Sequence, residues 1–328
     1  MTGLIDSWQR QINYLRISVT DHCNLNCVYC SVGELPRFSH DDILRYEEIE
    51  KIVRVAADMG ISKVRLTGGE PLIRPDFSQL VGMIAQVEGI DDISLTTNGI
   101  LLSRYAAELK EAGLKRVNIS LDTLNKDRFR RITGLDKLED VLAGIEAVHK
   151  AGLEPVKINM VVLKGINDDE VIDFARKSID EGWHIRFIEF MPIGVSNGEV
   201  SGTVSAQEIK DSIQVVGKLE PYAGPTGNGP ARYYQFSGAK GTVGFITPMT
   251  EHFCHTCNRL RITSDGQLRP CLLADDEVNL KEALRNGAGT DKIKKLIQQA
   301  VDIKREHHNL TGGLAPETAS RPMCQIGG

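Results

Sequence analysis

The sequence predicts an α/β fold in which a parallel sheet curves into a partial barrel, followed by a less regular C-terminal region. Three observations carry this expectation. Between residues 13 and 191, short β-rich runs alternate with amphipathic helical segments about six times. Glycines stand where those helices should end, at Gly60 and Gly152. Strand–helix–strand repetition of this kind requires right-handed crossovers and a parallel sheet. Six units are too few for a closed eight-fold barrel, but their order suits a partial one.

Taken in order, the strand runs are YLRISVT (14–20), KVRLTGG (63–69), ISLTTNG (93–99), RVNISLD (116–122), VKINMVVL (156–163) and IRFIEFM (185–191). Between them, YEEIEKIVRVAADMG (46–60) and LEDVLAGIEAVHKAG (138–152) place apolar residues near helical spacing. Beyond residue 192 the alternation fails. PIGVSNGEVSGTVS and PYAGPTGNGPARYY are rich in Gly, Pro, Ser and Asn and read as loops. A strand, GTVGFIT, precedes a second group of cysteines, and helices are expected around 279–287 and 290–307. Two regions are therefore expected, 1–192 and 193–328, the second ending in the short tail RPMCQIGG.

Alternate residues of a strand share a face. On that spacing Arg16 goes with Ser18, Arg65 with Thr67, Thr96 with Ser94 and Asn98, Asn118 with Ser120 and Asp122, and Lys157 with Asn159. A packed barrel interior would carry branched apolar residues at these positions. Since crossover helices cover the outer face of a parallel sheet, the polar face should line an open cavity built for something large and polar. The sixth strand fits less neatly, because Arg186 falls in phase with apolar Ile188 and Phe190.

The net charge of −5 gives no global basic field to recruit nucleic acid. No run approaches the ~18 consecutive apolar residues of a membrane span, and the N-terminus lacks a signal-peptide pattern. The expectation is a soluble, cytoplasmic chain without membrane or nucleic-acid partners. In that compartment clustered cysteines indicate metal or redox chemistry rather than disulfides. There are seven: Cys23, Cys27 and Cys30; Cys254, Cys257 and Cys271; and Cys324.

The first group, TDHCNLNCVYC, follows the first strand in a single loop, at the end where parallel α/β folds place their chemistry. Three thiolates could be part of a structural zinc site completed by His22. Alternatively they could hold a cubane cluster with one iron left open, as catalytic metals require. The second group, CHTC and then Cys271, admits zinc with His252 or His255 on spacing alone. Beside it stand Arg259 and Arg261, whose guanidiniums suit an anionic ligand brought close to the metal.

The C-x3-C-x2-C array with Tyr29 before its last cysteine, followed one strand later by GGEP (68–71), resembles the signature of radical S-adenosylmethionine enzymes. Over nearly the full chain the resemblance narrows to the GTP 3′,8-cyclases of molybdenum cofactor biosynthesis, the MoaA family. It rests on LRISVTDHCNLNCVYC, VRLTGGEPLIR, LTTNG, NISLD, KINMVVLKGIND, RFIEFMPIG, FCHTCNRLRITSDG, Cys271 and the ending IGG.

That resemblance implies a partial barrel of the radical S-adenosylmethionine type, closed by a C-terminal region that bears an auxiliary cluster. It implies two [4Fe–4S] clusters, held by Cys23, Cys27 and Cys30 and by Cys254, Cys257 and Cys271. S-adenosylmethionine would bind the open iron of the first and yield a 5′-deoxyadenosyl radical that takes the C3′ hydrogen of GTP. The ribose would then close onto C8 of guanine, held at the second cluster. Tyr29, Gly69, Ser120 and Met191 fall where the family contacts S-adenosylmethionine. Arg16, Arg65, Thr96, Lys157, Arg259 and Arg261 fall where it contacts GTP, with Arg186 a weaker candidate for the same role. Arg259, Arg261, Gly327 and Gly328 are the expected catalytic set, the two glycines on a tail that enters the active site. A downstream enzyme, MoaC, an electron donor and a homodimer are implied as partners. Cys324 belongs to neither set and reads as incidental. Peptide-modifying radical enzymes and a two-zinc binding module are the competing readings; the bases along the strands count against the first and GGEP against the second.

Overall fold

The computed structural model describes residues 3–30, 37–193, 202–225, 227, 229–308 and 321–327. Gly328 and most of the loop PIGVSNGEVSGTVS lie outside the described residues. The six predicted strands are present as β1 (Tyr14–Ser18), β2 (Lys63–Thr67), β3 (Asp92–Thr97), β4 (Arg116–Ser120), β5 (Lys157–Val162) and β6 (His184–Glu189). They lie side by side in chain order and pair in parallel.

The C-terminal region extends this sheet at both edges. β9 (Thr242–Ile246) pairs in parallel with β6, and β10 (Arg259–Ile262) pairs in parallel with β1. Beyond them lie antiparallel additions: β7 (Leu219–Tyr222) and β8 (Arg232–Phe236) outside β9, and β11 (Gln267–Arg269) and β12 (Val278–Asn279) outside β10. PYAGPTGNGPARYY is therefore not all loop, since its two ends pair as β7 and β8. Pro221 is tolerated because β7 is the edge of the sheet, where a strand can lack an N–H donor.

The helices are α1 (Tyr46–Asp58), α2 (Phe77–Ala85), α3 (Leu102–Glu111), α4 (Lys126–Thr133), α5 (Leu138–Lys150), α6 (Val171–Asp180), α7 (Ala206–Ile213), α8 (Leu280–Arg285), α9 (Thr290–Asp302) and the single-turn α10 (Met323–Ile326). Local chemistry sets several of their ends. Asn125 caps α4 through the Arg128 N–H at 3.0 Å, and Gly134 ends it in the left-handed region (φ +81°). In α1, Ile49, Ile52, Val53 and Ala56 form the buried stripe. Among the described residues no helix is long and apolar enough to cross a membrane.

The period-two alternation separates two environments. Leu15, Ile17, Val64, Leu66, Leu95, Ile119, Ile158 and Ile185 face the helices and are buried in one continuous core. Each is worth roughly 1.5–3 kcal/mol of burial. The intervening Arg16, Arg65, Asn118 and Lys157 are mostly or wholly buried as well, but on the opposite face. The apolar face thus stabilises the sheet while the polar face fills its concave side.

Gly144 lets α5 approach the turn before α3. A Cβ there would come within 2.4 Å of the Gly99 carbonyl oxygen and 3.1 Å of Leu102 Cβ. Gly144→Ala is expected to destabilise the fold by about 1–3 kcal/mol, the usual cost of overpacking, and to lower the thermal midpoint by several degrees. An unchanged midpoint would mean that α5 moves away without penalty.

Candidate active site: two thiol trios on one polar cavity

The cysteine loop 20–30 is pinned from three sides. The GGEP segment pairs with its start: the Gly69 N–H donates to the Thr20 carbonyl and the Glu70 N–H to that of His22, both at 2.7 Å. This close approach explains the two glycines, since a Cβ on Gly69 would lie 2.1 Å from the His22 oxygen and one on Gly68 2.6 Å from the Thr20 oxygen. On the second side, the Asn26 and Val28 N–H groups donate to the Thr133 and Ile132 carbonyls at the end of α4, each at 2.9 Å. On the third, the Tyr29 hydroxyl donates to Asp122 Oδ2 at 2.7 Å while the Val161 N–H donates to Oδ1 at 2.8 Å.

Glu70 ties this loop to β3. Its carboxyl accepts from the Leu72 N–H, the Thr97 hydroxyl and the Asn98 N–H at 2.7–3.0 Å. Asn98 in turn donates its side-chain amide to Asn24 Oδ1 at 2.7 Å. Burial pushes the Glu70 carboxyl up to about 7 despite these three donors. Burial likewise raises Asp122 to about 6.

At the second group, Cys254 and Cys257 sit on a 3₁₀ turn that leads into β10, and Cys271 follows β11. Arg259 donates to Cys257 Sγ at 3.6 Å and lies over the Phe253 ring at 5.0 Å. Burial pushes the Cys257 thiol up, but Arg259 and Lys304 more than offset it and bring it down to about 6.

Both trios and most of the polar strand faces line one cavity of about 310 Å³, within the size range of small-molecule sites. Of the predicted residues, Arg16, Tyr29, Arg65, Gly69, Thr96, Ser120, Met191, Arg259, Arg261 and all six trio cysteines border it, as does Arg186. Lys157 does not. It lies buried nearer the N-terminal ends of the strands, and burial, together with Arg186, Arg116 and Arg65, lowers it to about 6. Gly327 rests against Ser18 and Thr67, and its carbonyl accepts from Arg261 Nη1 at 2.7 Å. Cys324, expected to be incidental, also borders the cavity, and after burial it is the largest influence raising the Cys30 thiol.

Strand register concentrates charge. Arg16 on β1 stands opposite Arg65 on β2 and Arg261 on β10, which puts three guanidiniums side by side. Burial and the two neighbours push Arg16 down, and burial followed by Arg259 brings Arg261 to about 10. Nearby, Thr96 Oγ1, Asn118 Nδ2 and Asn159 Oδ1 are buried without a hydrogen-bond partner among the described residues. Such groups are normally satisfied; of the two that border the cavity, the Thr96 hydroxyl suits an acceptor on an occupant and Asn159 Oδ1 a donor.

The trios have the ligand chemistry of iron–sulfur clusters, though among the described residues no three such side chains are drawn together as a metal-binding group. All six thiols are free. Cys27 is pushed well up by burial and then by Cys30, and Cys254 by burial and then by Cys271 and Cys257. A bound cation favours the thiolate form of such thiols, and Cys257, already lowered by Arg259 and Lys304, is nearest to that form. Backbone N–H groups already point at two sulfurs, Leu25 to Cys23 and Leu273 to Cys271, both at 3.4 Å. Such bonds tune cluster ligands.

Several residues here carried no marker in the sequence analysis. Asp122 was legible only as part of a polar strand face, and Glu70 only as a letter of GGEP. Glu189, whose carboxylate accepts from the Met249 and Thr250 N–H groups at 3.0 Å, fastens the loop before Cys254 to the end of β6. Its contacts lie about sixty residues away in the chain, so no local pattern marks them.

Comparison with known proteins agrees with this geometry. The Radical SAM superfamily model matches residues 17–177, and the Molybdenum Cofactor Synthesis C model matches residues 183–310. The chain is 53% identical to a GTP 3′,8-cyclase of Moorella thermoacetica, over 98% of this chain and 99% of that one. It is 52% identical to one of Pelotomaculum thermopropionicum over the same shares, and 48% identical to one of Heliobacterium modesticaldum over 99% and 100%. Among solved structures, native anSMEcpe with bound AdoMet aligns at a TM-score of 0.62 and 18% identity, covering 91% of this chain and 82% of that one. Streptococcus suis SuiB bound to S-adenosylmethionine aligns at 0.61 and 16%, covering 86% and 68%. At such identities these two show the fold alone, while the near-full-length relatives decide the family: this chain belongs to the GTP 3′,8-cyclases, within the radical S-adenosylmethionine superfamily.

Proposed function

We propose that this cavity converts GTP to 3′,8-cyclo-7,8-dihydro-GTP, the first step of molybdenum cofactor biosynthesis. The observation that carries the reading is the arginine row of β10, β1 and β2 standing between two thiol trios in one cavity.

In this reading Cys23, Cys27 and Cys30 would hold one [4Fe–4S] cluster and Cys254, Cys257 and Cys271 the other. Bound at the first, S-adenosylmethionine supplies hydrogen-atom abstraction from C3′ of the substrate ribose. Tyr29, Gly69, Ser120 and Met191 seat that cofactor. Asp122 keeps Tyr29 turned toward it, and Glu70 and Asn98 keep the loop from drifting. Arg16, Arg65, Arg259 and Arg261 neutralise the triphosphate, and Lys157 adds its charge from below the cavity, in a site with no phosphate-binding glycine loop. Thr96 hydrogen-bonds the substrate beside them, and Arg186 reinforces the basic wall. Guanine lies toward the second trio, so that C8 and C3′ are held in line for bond formation. The tail braces Arg261 through the Gly327 carbonyl at the reacting end.

Residues 1–192 then supply radical generation and 193–328 substrate orientation. The same reading takes the electron from an external donor, passes the product to MoaC and makes the enzyme a cytoplasmic homodimer.

Anaerobic reconstitution, reduction and addition of S-adenosylmethionine with GTP or ATP tests the assignment. The expected result is 5′-deoxyadenosine together with a cyclised nucleotide isomeric with GTP, and neither with ATP. Cleavage of S-adenosylmethionine that leaves GTP intact would overturn it.

Lys157 gives a pH-dependent signature. Its ordinary value is 10.5 and its buried value about 6, so in the free protein it is neutral across that window. A polyanion beside it restores the proton. GTP binding at pH 8 should therefore take up as much as one proton, and affinity should fall as pH rises through the window. Calorimetry in buffers of different ionisation enthalpy measures this, and Lys157→Gln should abolish the uptake. The substitution should also weaken GTP binding by about 10-fold, the scale of one charge acting from below the cavity.

A further inference from the structure

The second cysteine group draws its ligands from two places, the turn 254–257 and the segment after β11. Something must hold these together. Lys304 lies just past the end of α9 and is only 3% exposed. Its ammonium donates to the Arg259 carbonyl at 3.0 Å, two residues after Cys257, and to the Pro270 carbonyl, immediately before Cys271. A single buried cation thus bridges the backbones of both ligand segments. Burial pulls its pKa down, while both carbonyls accept from the charged form, and among the described residues its hydrogen-bond acceptors are these carbonyls rather than a carboxylate.

A second basic residue completes the arrangement from the N-terminal arm. Arg10, paired with Asp6 through Nε at 2.6 Å, donates Nη1 to the Cys254 carbonyl at 2.8 Å and to the Glu306 carbonyl at 3.0 Å. Its Nη2 reaches the Arg305 carbonyl at 2.7 Å. Trp8 Nε1 donates to the Lys304 carbonyl at 3.1 Å. Residues 304–306 are therefore clasped between the arm and all three ligand positions.

We propose that Lys304, supported by Arg10, is a positioning residue of the second cluster. It sets the separation of Cys271 from Cys254 and Cys257, and it places a buried positive charge beside the cluster. The proposal rests on the reading of those three cysteines as cluster ligands. A fixed cation near a cluster favours the electron-rich state, so its charge should raise the reduction potential.

The test is made on the full-length reconstituted protein with Lys304→Gln and Lys304→Arg, measuring iron and sulfide content and the EPR-monitored reduction potential of each cluster. The potential of the second cluster is isolated in a Cys23→Ala/Cys27→Ala/Cys30→Ala background. With Lys304→Gln, the expected result is a lower potential, or loss of iron, at the second cluster alone. Lys304→Arg should restore both. An unchanged second cluster in Lys304→Gln would overturn the proposal, as would equal iron loss from both clusters, which marks a general folding defect. If Lys304→Gln does not fold, Lys304→Arg still decides, since a potential or iron content displaced as far as in Arg10→Gln would refute the role of charge. Wild-type protein that binds only one cluster would instead refute the ligand reading on which the proposal stands.

Discussion

The placing of Arg261, Arg16 and Arg65 on three adjacent parallel strands, in register, is the constraint on which the site depends. Neighbouring strands are about 4.8 Å apart, and like charges at that spacing, withdrawn from water, repel strongly. Among the described residues no carboxylate forms an ion pair with Arg65 or Arg261. Asp92, at the start of β3, pairs with Arg116 instead. The continuous apolar core on the opposite face of the same strands supplies the stability that tolerates this concentration of charge. In the proposed reading a polyanionic substrate relieves the repulsion, and the stored electrostatic cost becomes binding free energy for triphosphate.

The same register explains why the C-terminal region matters. β10 contributes Arg259 and Arg261 only because it pairs with β1, and that pairing also carries Cys254 and Cys257 to the cavity. At the other edge, β9 packs against β6, and Gly244 leaves the room that Arg186 and Tyr233 occupy, since a Cβ there would come within 3.2 Å of Arg186 Cγ and 2.9 Å of the Tyr233 ring. One continuous sheet thus faces two thiol trios across a basic wall. In the proposed reading the site acts by holding the substrate's two reacting carbons together.

Much of this was legible before any coordinates. Period-two alternation in β1 to β5 marked the inward polar residues, and cysteine spacing marked both trios. Arg186 was blurred because Ile188 and Phe190 share its face; all three border the cavity. The β7–β8 hairpin was hidden by Pro221 and the glycines around it, which the edge of a sheet accommodates. The parallel pairing of β10 with β1 joins residues about 245 apart and has no local signature. For the same reason Asp122 under Tyr29, Glu189 under the 248–251 loop, and Lys304 and Arg10 behind the second trio are visible only once the chain is folded. Lys157 was marked as a base by its strand face, but its place below the cavity depends on how the strands tilt.

The most direct measurement of the central claim, that the arginine row exists for a triphosphate, is the affinity of the reconstituted protein for GTP, GDP, GMP and guanosine under one set of conditions. The account predicts a steep loss with each phosphate removed, and a GTP affinity that falls strongly with added salt. Guanosine binding within a few-fold of GTP would contradict it, because the base alone would then suffice and the buried guanidiniums would contribute little to binding.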